Sequence, residues 1–278
     1  MGLHSGRKVN LRLLPGAPDT GILFRRTDLG GMEIPAQASY IHRVDFAICL
    51  SHQGAEVKTV EHLLGAFFGM GVDNAEVELD AAEVPILDGS ASPFVYLIKE
   101  AGTVNQNRTR RYLRVLKPME ISEPGRWIKV LPAEDLRVTY TIEFSHPLIR
   151  QQTLTIPVSE ATFEDQVAPA RTFGFMRDVE ALRMRGLTLG GSLANAVVLS
   201  ESGVLNPTLR FPNEFVRHKI LDALGDLSLA GFPLKAHVLV HKGGHRLHAQ
   251  MAKLLRTSLA FNRVESFRDD MTKVLAQT

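Results

Sequence analysis

His218, Asp222 and Asp226 recur every fourth residue within the stretch Phe215-Val216-Arg217-His218-Lys219-Ile220-Leu221-Asp222-Ala223-Leu224-Gly225-Asp226. On a helix they share one stripe, with Val216, Ile220, Leu224 and Leu227 forming an apolar stripe roughly opposite. An imidazole and a carboxylate four residues apart point side by side, a donor pair suited to zinc. The alternative is a solvated helix face, and other residues must decide. Glu61-His62 opens a second helical pattern, in which His62 lies off the apolar stripe on a side carrying Gly65, Ala66 and Gly69, where a neighbour can approach closely. His62, His218 and Asp222 together complete a three-ligand set, the number a catalytic zinc uses while one position stays open. Glu61 then stands beside the metal as a general base rather than a ligand.

A further group follows from Lys242-Gly243-Gly244-His245, which ends a strand and begins a helix. Glycines there admit close backbone approach, so His245 reads as an acid, with Asp226 holding its ring and raising its pKa. His237, His241 and His248 read as strand or surface histidines. In Arg171-Thr172-Phe173-Gly174-Phe175 a hydroxyl sits between aromatics, and Thr172 reads as an oxyanion donor or as part of a packed loop.

The elements that must position these residues follow a repeated order. Alternation at Val9, Leu11 and Leu13 and apolar runs at 22–24 and 46–50 read as strands. A helix follows over 59–70, with Thr59 as cap, then a strand at 75–79, the turn Asp88-Gly89-Ser90, and a helix opened by Ser92-Pro93 and closed by Gly102. The second half repeats this order with strands at 112–116, 127–131 and 136–144, the helix at 213–230, a strand at 236–241 and a final helix from 245. Inserted between are a short helix at 175–185, stopped by Gly186, and a strand at 196–199. A duplicated α/β sandwich is the economical reading, resting on element order alone.

The 278 residues suffice for a large core, and 45% hydrophobic with 22% charged residues is ordinary for an enzyme-sized globular chain. A net charge of +2 provides no broad field for nucleic acid. The single Cys49, in an apolar run, excludes an intramolecular disulfide, fits a reducing compartment and reads as a buried strand residue. No apolar run approaches the roughly 18 residues of a membrane span, and no basic stretch precedes an apolar core at the start, so a cytoplasmic protein is expected.

Five stretches together resemble the UDP-3-O-acyl-N-acetylglucosamine deacetylase family of lipid A biosynthesis: Thr59-Val60-Glu61-His62-Leu63, Glu83-Val84-Pro85-Ile86-Leu87-Asp88-Gly89-Ser90, residues 170–178, Leu189-Gly190-Gly191-Ser192 and residues 215–226. The resemblance implies zinc on His62, His218 and Asp222, Glu61 as general base, His245 as general acid oriented by Asp226, and Thr172 as oxyanion donor. It implies that Lys219 and Lys242 face the sugar and diphosphate; Arg126 and Arg246 are read from this chain alone as further cations for the diphosphate. Phe173 and an insert at 176–198 would line the passage for the acyl chain. The implied fold is α/β (α+β): two similar two-layer α/β sandwich domains, here 1–105 and 106–278, each with a small insert and with the active site between them.

Two departures from the family stand out. Its members usually begin with a further strand, which is expected to be missing here. Their catalytic histidine is usually followed by Ala-Leu-Asn-Asn, where this chain has Arg246-Leu247-His248-Ala249. The expected reaction is zinc-dependent release of acetate from the 2-acetamido group of UDP-3-O-acyl-N-acetylglucosamine, by a monomer with a UDP-linked acylated amino sugar as partner, no nucleic acid and no transmembrane segment. The alternatives are a zinc deacetylase of another nucleotide sugar and a non-catalytic α/β binding module.

Overall fold

The structure, a computed structural model, describes residues 1–258 and 261–276, with the side chains of all of these but 268 and 269. In the first half, β1 (Leu11–Pro15), β2 (Ile22–Arg26) and β3 (Met32–Pro35) precede a small sheet of β4 (Ile41–Arg43), β5 (Cys49–His52) and β6 (Ala55–Lys58). Helix α1 (Glu61–Gly69), β7 (Ala75–Leu79) and α2 (Ser92–Ala101) complete it. The second half runs β8 (Thr103–Val115), β9 (Met119–Glu123), β10 (Arg126–Pro132), β11 (Arg137–Phe144), β12 (Arg150–Pro157), α3 (Glu160–Gln166), β13 (Phe173–Phe175), α4 (Met176–Met184) and β14 (Val197–Leu199). It ends with α5 (Glu214–Ser228), β15 (Leu234–His241), α6 (His245–Thr257) and β16 (Asn262–Leu275). Among the described residues no helix is long and apolar enough to cross a membrane.

The duplication is present in strand order and direction. β7 lies between β1 and β2, antiparallel to the first and parallel to the second, and β3 runs antiparallel to β2. β15 lies likewise between β10 and β11, antiparallel to the first and parallel to the second, and β12 runs antiparallel to β11. β7 and β15 thus each enter the middle of a sheet after a helical crossover, which is how a parallel neighbour must be reached. Period-two burial explains the inner faces: Val138, Tyr140 and Ile142 of β11 and Ala236, Val238 and Val240 of β15 are buried, while Lys235, His237, Leu239 and His241 alternate toward the other side.

The two units meet helix to helix. Almost every side of α1 is buried, because one side covers its own sheet and the other faces α5. Gly65 and Gly225 make that approach possible: a Cβ on Gly65 would lie 2.7 Å from Leu221 Cδ1, and one on Gly225 would lie 2.0 Å from the Glu61 carbonyl oxygen. Gly69, on the same side of α1, packs against the ring of Phe163 from α3.

Several expectations need correction. Thr59 is not the cap of α1: it has φ 57°, and its hydroxyl donates to Glu83 Oε1 at 3.1 Å, while Val60 takes the cap position without a side-chain bond. Phe46 is not in a strand, since β5 starts at Cys49 and Phe46 is half exposed with φ 63°. Strand β8 is longer than the expected strand at 112–116, because β16 pairs with it from Val115 to Thr103, with register shifts around Met271. The far end of this ribbon reaches the first unit, where the amide of Asp73 donates to Lys273 O at 2.9 Å, and its near end joins β15 at Leu113. α6 is therefore followed by a strand.

Gly225→Ala should destabilise the fold by about 1–3 kcal/mol or more, because backbone must move. Gly65→Ala should cost less, since it meets first the flexible end of Leu221. Denaturant unfolding of both variants checks this order, and the reverse order would place the tight contact elsewhere.

Candidate active site

Gly65 and Gly225 lie three residues beyond His62 and Asp222 on their own helices, so the contact that brings α1 onto α5 sets those two side chains against each other. His62 Nε2 stands 3.6 Å and His218 Nε2 3.3 Å from Asp222 Oδ1, and the two imidazoles meet edge to face with centroids 4.9 Å apart. All three side chains are buried. His218 Nδ1 lies 3.0 Å from the Ala170 carbonyl oxygen, which can only accept, so Nδ1 carries the proton and Nε2 offers its lone pair toward Asp222. Burial pushes the His218 pKa down to about 4, against the pull of Asp222, and keeps the ring neutral as a metal ligand requires. Lys219 Nζ donates to the other oxygen, Asp222 Oδ2, at 2.5 Å. Burial alone would raise the Asp222 pKa, but Lys219 and His218 hold it well below the usual carboxylate range.

Two imidazole nitrogens and one carboxylate oxygen, all within 4.8 Å of one another, form a donor set that fits a tetrahedral zinc. Beside them Glu61, buried at the head of α1, accepts the Ile48 amide through Oε2 at 3.1 Å. Burial raises its pKa, partly offset by His245 and His62. A carboxyl group raised in this way is a stronger proton acceptor than an exposed glutamate.

Asp226 sits one turn beyond Asp222 and is fully buried. Its Oδ2 lies 2.8 Å from His245 Nδ1, at the first residue of α6. Burial works to lower the His245 pKa, but Asp226, Glu61 and Asp222 outweigh it and push it up to about 9. The expectation that His248 is a strand or surface histidine is wrong. It is buried on α6, and its Nδ1 lies 2.8 Å from the same Asp226 Oδ2. Three residues after His245, it points from the same side of the helix toward α5.

Thr172 is held by its backbone: its amide donates to Gly89 O at 2.7 Å, and its carbonyl accepts from Val197 at 2.8 Å. The preceding Arg171 is fixed by Glu214, a fully buried carboxylate at the head of α5 that the sequence reading missed; Nε donates to Oε1 at 2.8 Å. Glu214 also accepts the amides of Arg171 and Arg210 at 3.0 and 2.7 Å, which anchors the loop to the ligand helix.

A cavity of about 880 Å³ joins these groups. Glu61, His62, Thr172, Lys219, Asp222 and His245 line it alongside Phe173, Phe175, Met176, Leu182, Leu193 and Leu205. Phe173 packs edge-on against Phe215 at 5.1 Å and Phe144 at 5.7 Å. Of the insert's other apolar residues, Met184, Leu187 and Leu189 do not line the cavity, and Met184 is 85% exposed. Phe46 and the N-terminal Leu3 and His4 do line it, with no local pattern to mark them. Glu83 holds that N-terminal segment by accepting the amides of His4 and Ser5, both at 2.8 Å.

The other cations expected at the diphosphate, Lys242, Arg126 and Arg246, lie outside the cavity lining. Lys242 Nζ donates to Glu143 Oε2 at 3.1 Å, beside a neighbouring recess. Arg126 is exposed at the start of β10, opposite Glu123. Arg246 Nη2 donates to that same Glu123 at 2.5 Å, so its charge is paired.

The chain matches the profile of the family described as UDP-3-O-acyl N-acetylglycosamine deacetylase, LpxC, over residues 1–257. It belongs to this family. A UDP-3-O-acyl-N-acetylglucosamine deacetylase of Chromobacterium violaceum is 45% identical over 277 residues, which cover 98% of this chain and 91% of the relative. Relatives of the same name from Syntrophus aciditrophicus and Oleidesulfovibrio alaskensis are 46% and 48% identical, covering 92% and 89% of this chain and 82% of each relative. For this deacetylase-family chain, His218→Ala and Asp222→Ala should each remove the bound metal, since two remaining ligands cannot close a site. Metal analysis of the purified variants measures this; full occupancy in both would place the metal elsewhere.

Proposed function

We propose that the protein hydrolyses the 2-acetamido group of UDP-3-O-acyl-N-acetylglucosamine, releasing acetate and UDP-3-O-acyl-glucosamine, with zinc as its metal. The supporting observation is a single cavity in which metal donors, a buried carboxyl and a paired imidazole share the space with a long apolar wall. Zinc held by His62, His218 and Asp222 would supply Lewis acidity toward the amide carbonyl. Glu61 takes the proton of the attacking water. Thr172 and protonated His245 donate to the oxygen of the tetrahedral intermediate, and His245 then protonates the leaving amine as the C–N bond breaks. Asp226 keeps the His245 ring oriented and charged. Lys219, fixed by Asp222, faces the sugar, while Lys242 and Arg126 meet the diphosphate outside the cavity. Phe173 and the wall from Phe175 to Leu205 take the acyl chain. A monomer in the cytoplasm completes the reading, in keeping with the single buried Cys49.

The pH dependence should be a bell. Glu61 works only when ionised, and its raised pKa moves the acidic limb above the usual glutamate range. His245 works only when protonated, so the basic limb falls near pH 9, where its proton is lost. Glu61→Gln should keep zinc and lose on the order of 10²-fold or more in turnover, and His245→Gln should erase the basic limb. Near-normal turnover of the Glu61→Gln variant, or an unchanged basic limb in His245→Gln, would move these roles to other groups.

Four or five buried methylenes at about 0.8 kcal/mol each come to roughly 3–4 kcal/mol, or about 10²- to 10³-fold in kcat/KM. Substrate lacking its 3-O-acyl group should lose that much in a direct deacetylation assay. Equal turnover of the acylated and unacylated substrates would leave a zinc amidase acting on a different nucleotide sugar.

A further inference from the structure

His248 lies three residues after His245 on α6, and the mechanism above leaves it without a task. It is fully buried and bonded at both nitrogens: Nδ1 is 2.8 Å from Asp226 Oδ2, and Nε2 is 3.2 Å from the hydroxyl of Tyr140, itself fully buried on β11. Because a carboxylate oxygen only accepts, His248 donates through Nδ1–H, and Nε2 is left to accept from the tyrosine hydroxyl. Burial lowers the His248 pKa, which keeps the ring in that neutral form. A directional chain results, running from the Tyr140 hydroxyl through His248 to Asp226, with His245 donating to the same Asp226 oxygen from the other side.

Two further observations show what this chain constrains. Among the described residues Asp226 Oδ1 is buried without a hydrogen-bond partner, so the hydrogen bonds that orient the carboxylate run through Oδ2. A Cβ on Gly243 would lie 3.2 Å from His248 Nε2, 3.1 Å from the Tyr140 hydroxyl and 2.3 Å from Val240 Cγ1. The turn that delivers His245 to the cavity therefore closes directly onto the same pair. His248 thus bears on His245 twice, through the carboxylate that holds its ring and through the glycine turn that sets its backbone.

We propose that His248 is a positioning residue for deacetylation: by donating to Asp226 Oδ2 it fixes the carboxylate that orients His245. The inference rests on His245 being the general acid. A residue that only fills space here would be best replaced by an apolar side chain of similar bulk; one that acts through its donor would be best replaced by a smaller amide. His248→Leu and His248→Asn separate the two, with His248→Met as the apolar variant should Leu prevent folding, and with zinc content as the check on the fold.

Leu should lower kcat about 10- to 100-fold with KM changed by no more than about twofold, while Asn retains most of kcat despite its smaller volume. The pH profile gives a second readout. The groups facing His245 are Asp226 and Asp222 from α5, Glu61 from α1, His248 from α6 and His4 from the N-terminal segment; Lys219 also bears on His248. Removing the second donor leaves Asp226 more basic, so the basic limb should move to higher pH in the Leu variant and stay in place in the Asn variant. A kcat for Leu equal to or above that for Asn, with the basic limb erased in His245→Gln, overturns the role of His248 alone. Full activity of His245→Gln overturns the acid assignment and this inference with it.

Discussion

Gly225 lies so close to the Glu61 carbonyl oxygen that no side chain fits between, and this one backbone contact fixes how the two halves meet. A helix pair normally keeps about 8–10 Å between axes because side chains occupy the gap. Here the absence of a Cβ on Gly225 and Gly65 lets α1 and α5 approach at the level where His62 and Asp222 emerge. His218 and Asp222 come from one helix and are pre-aligned by its pitch, but His62 comes from the other unit, and its place is set only by this crossing. The meeting of His62 and Glu61 with His218 and Asp222 depends on it.

The aspartates one turn apart on α5 show how one helix can set two electrostatic tasks. Asp222 faces two imidazoles through Oδ1 and a lysine through Oδ2, so it stays ionised while His218 stays neutral. Asp226 has no lysine bonded to it and takes two imidazole donors on one oxygen, so the charge it stabilises is placed on His245. The same residue type thus stands beside one histidine that stays neutral and another that stays charged, and the difference lies in what the second carboxylate oxygen meets.

Much of this was legible in the sequence because it is local. The four-residue stripe of His218, Asp222 and Asp226, the small face of α1 with Gly65 and Gly69, and the Gly-Gly turn before His245 are all patterns within one element. What was missed is non-local. The first part of β8, with Asn105, Gln106, Asn107 and Arg108, carries no apolar alternation; it is a strand because β16 pairs with it, away from the main cores. β12 is an edge strand rich in Gln and Thr, and only Ile156 of it is deeply buried. Phe46, Leu3 and His4 reach the cavity from turns whose paths are set by Glu83 and by positive-φ residues. His248 was misread because its neighbours in sequence, Arg246 and Leu247, do not reveal which side of α6 faces α5.

The cavity draws its walls from almost the full length of the chain, from Leu3 to His245. Loop closure over such spans is entropically costly before the contacts that reward it exist. During synthesis His62 emerges early and waits without partners until α5 arrives, and His245, the proposed acid, arrives after that. A nascent chain therefore has nothing with which to grip a metal ion tightly until most of it has been made. In the proposed site, metal capture is tied to completion of the fold rather than to the appearance of any single motif.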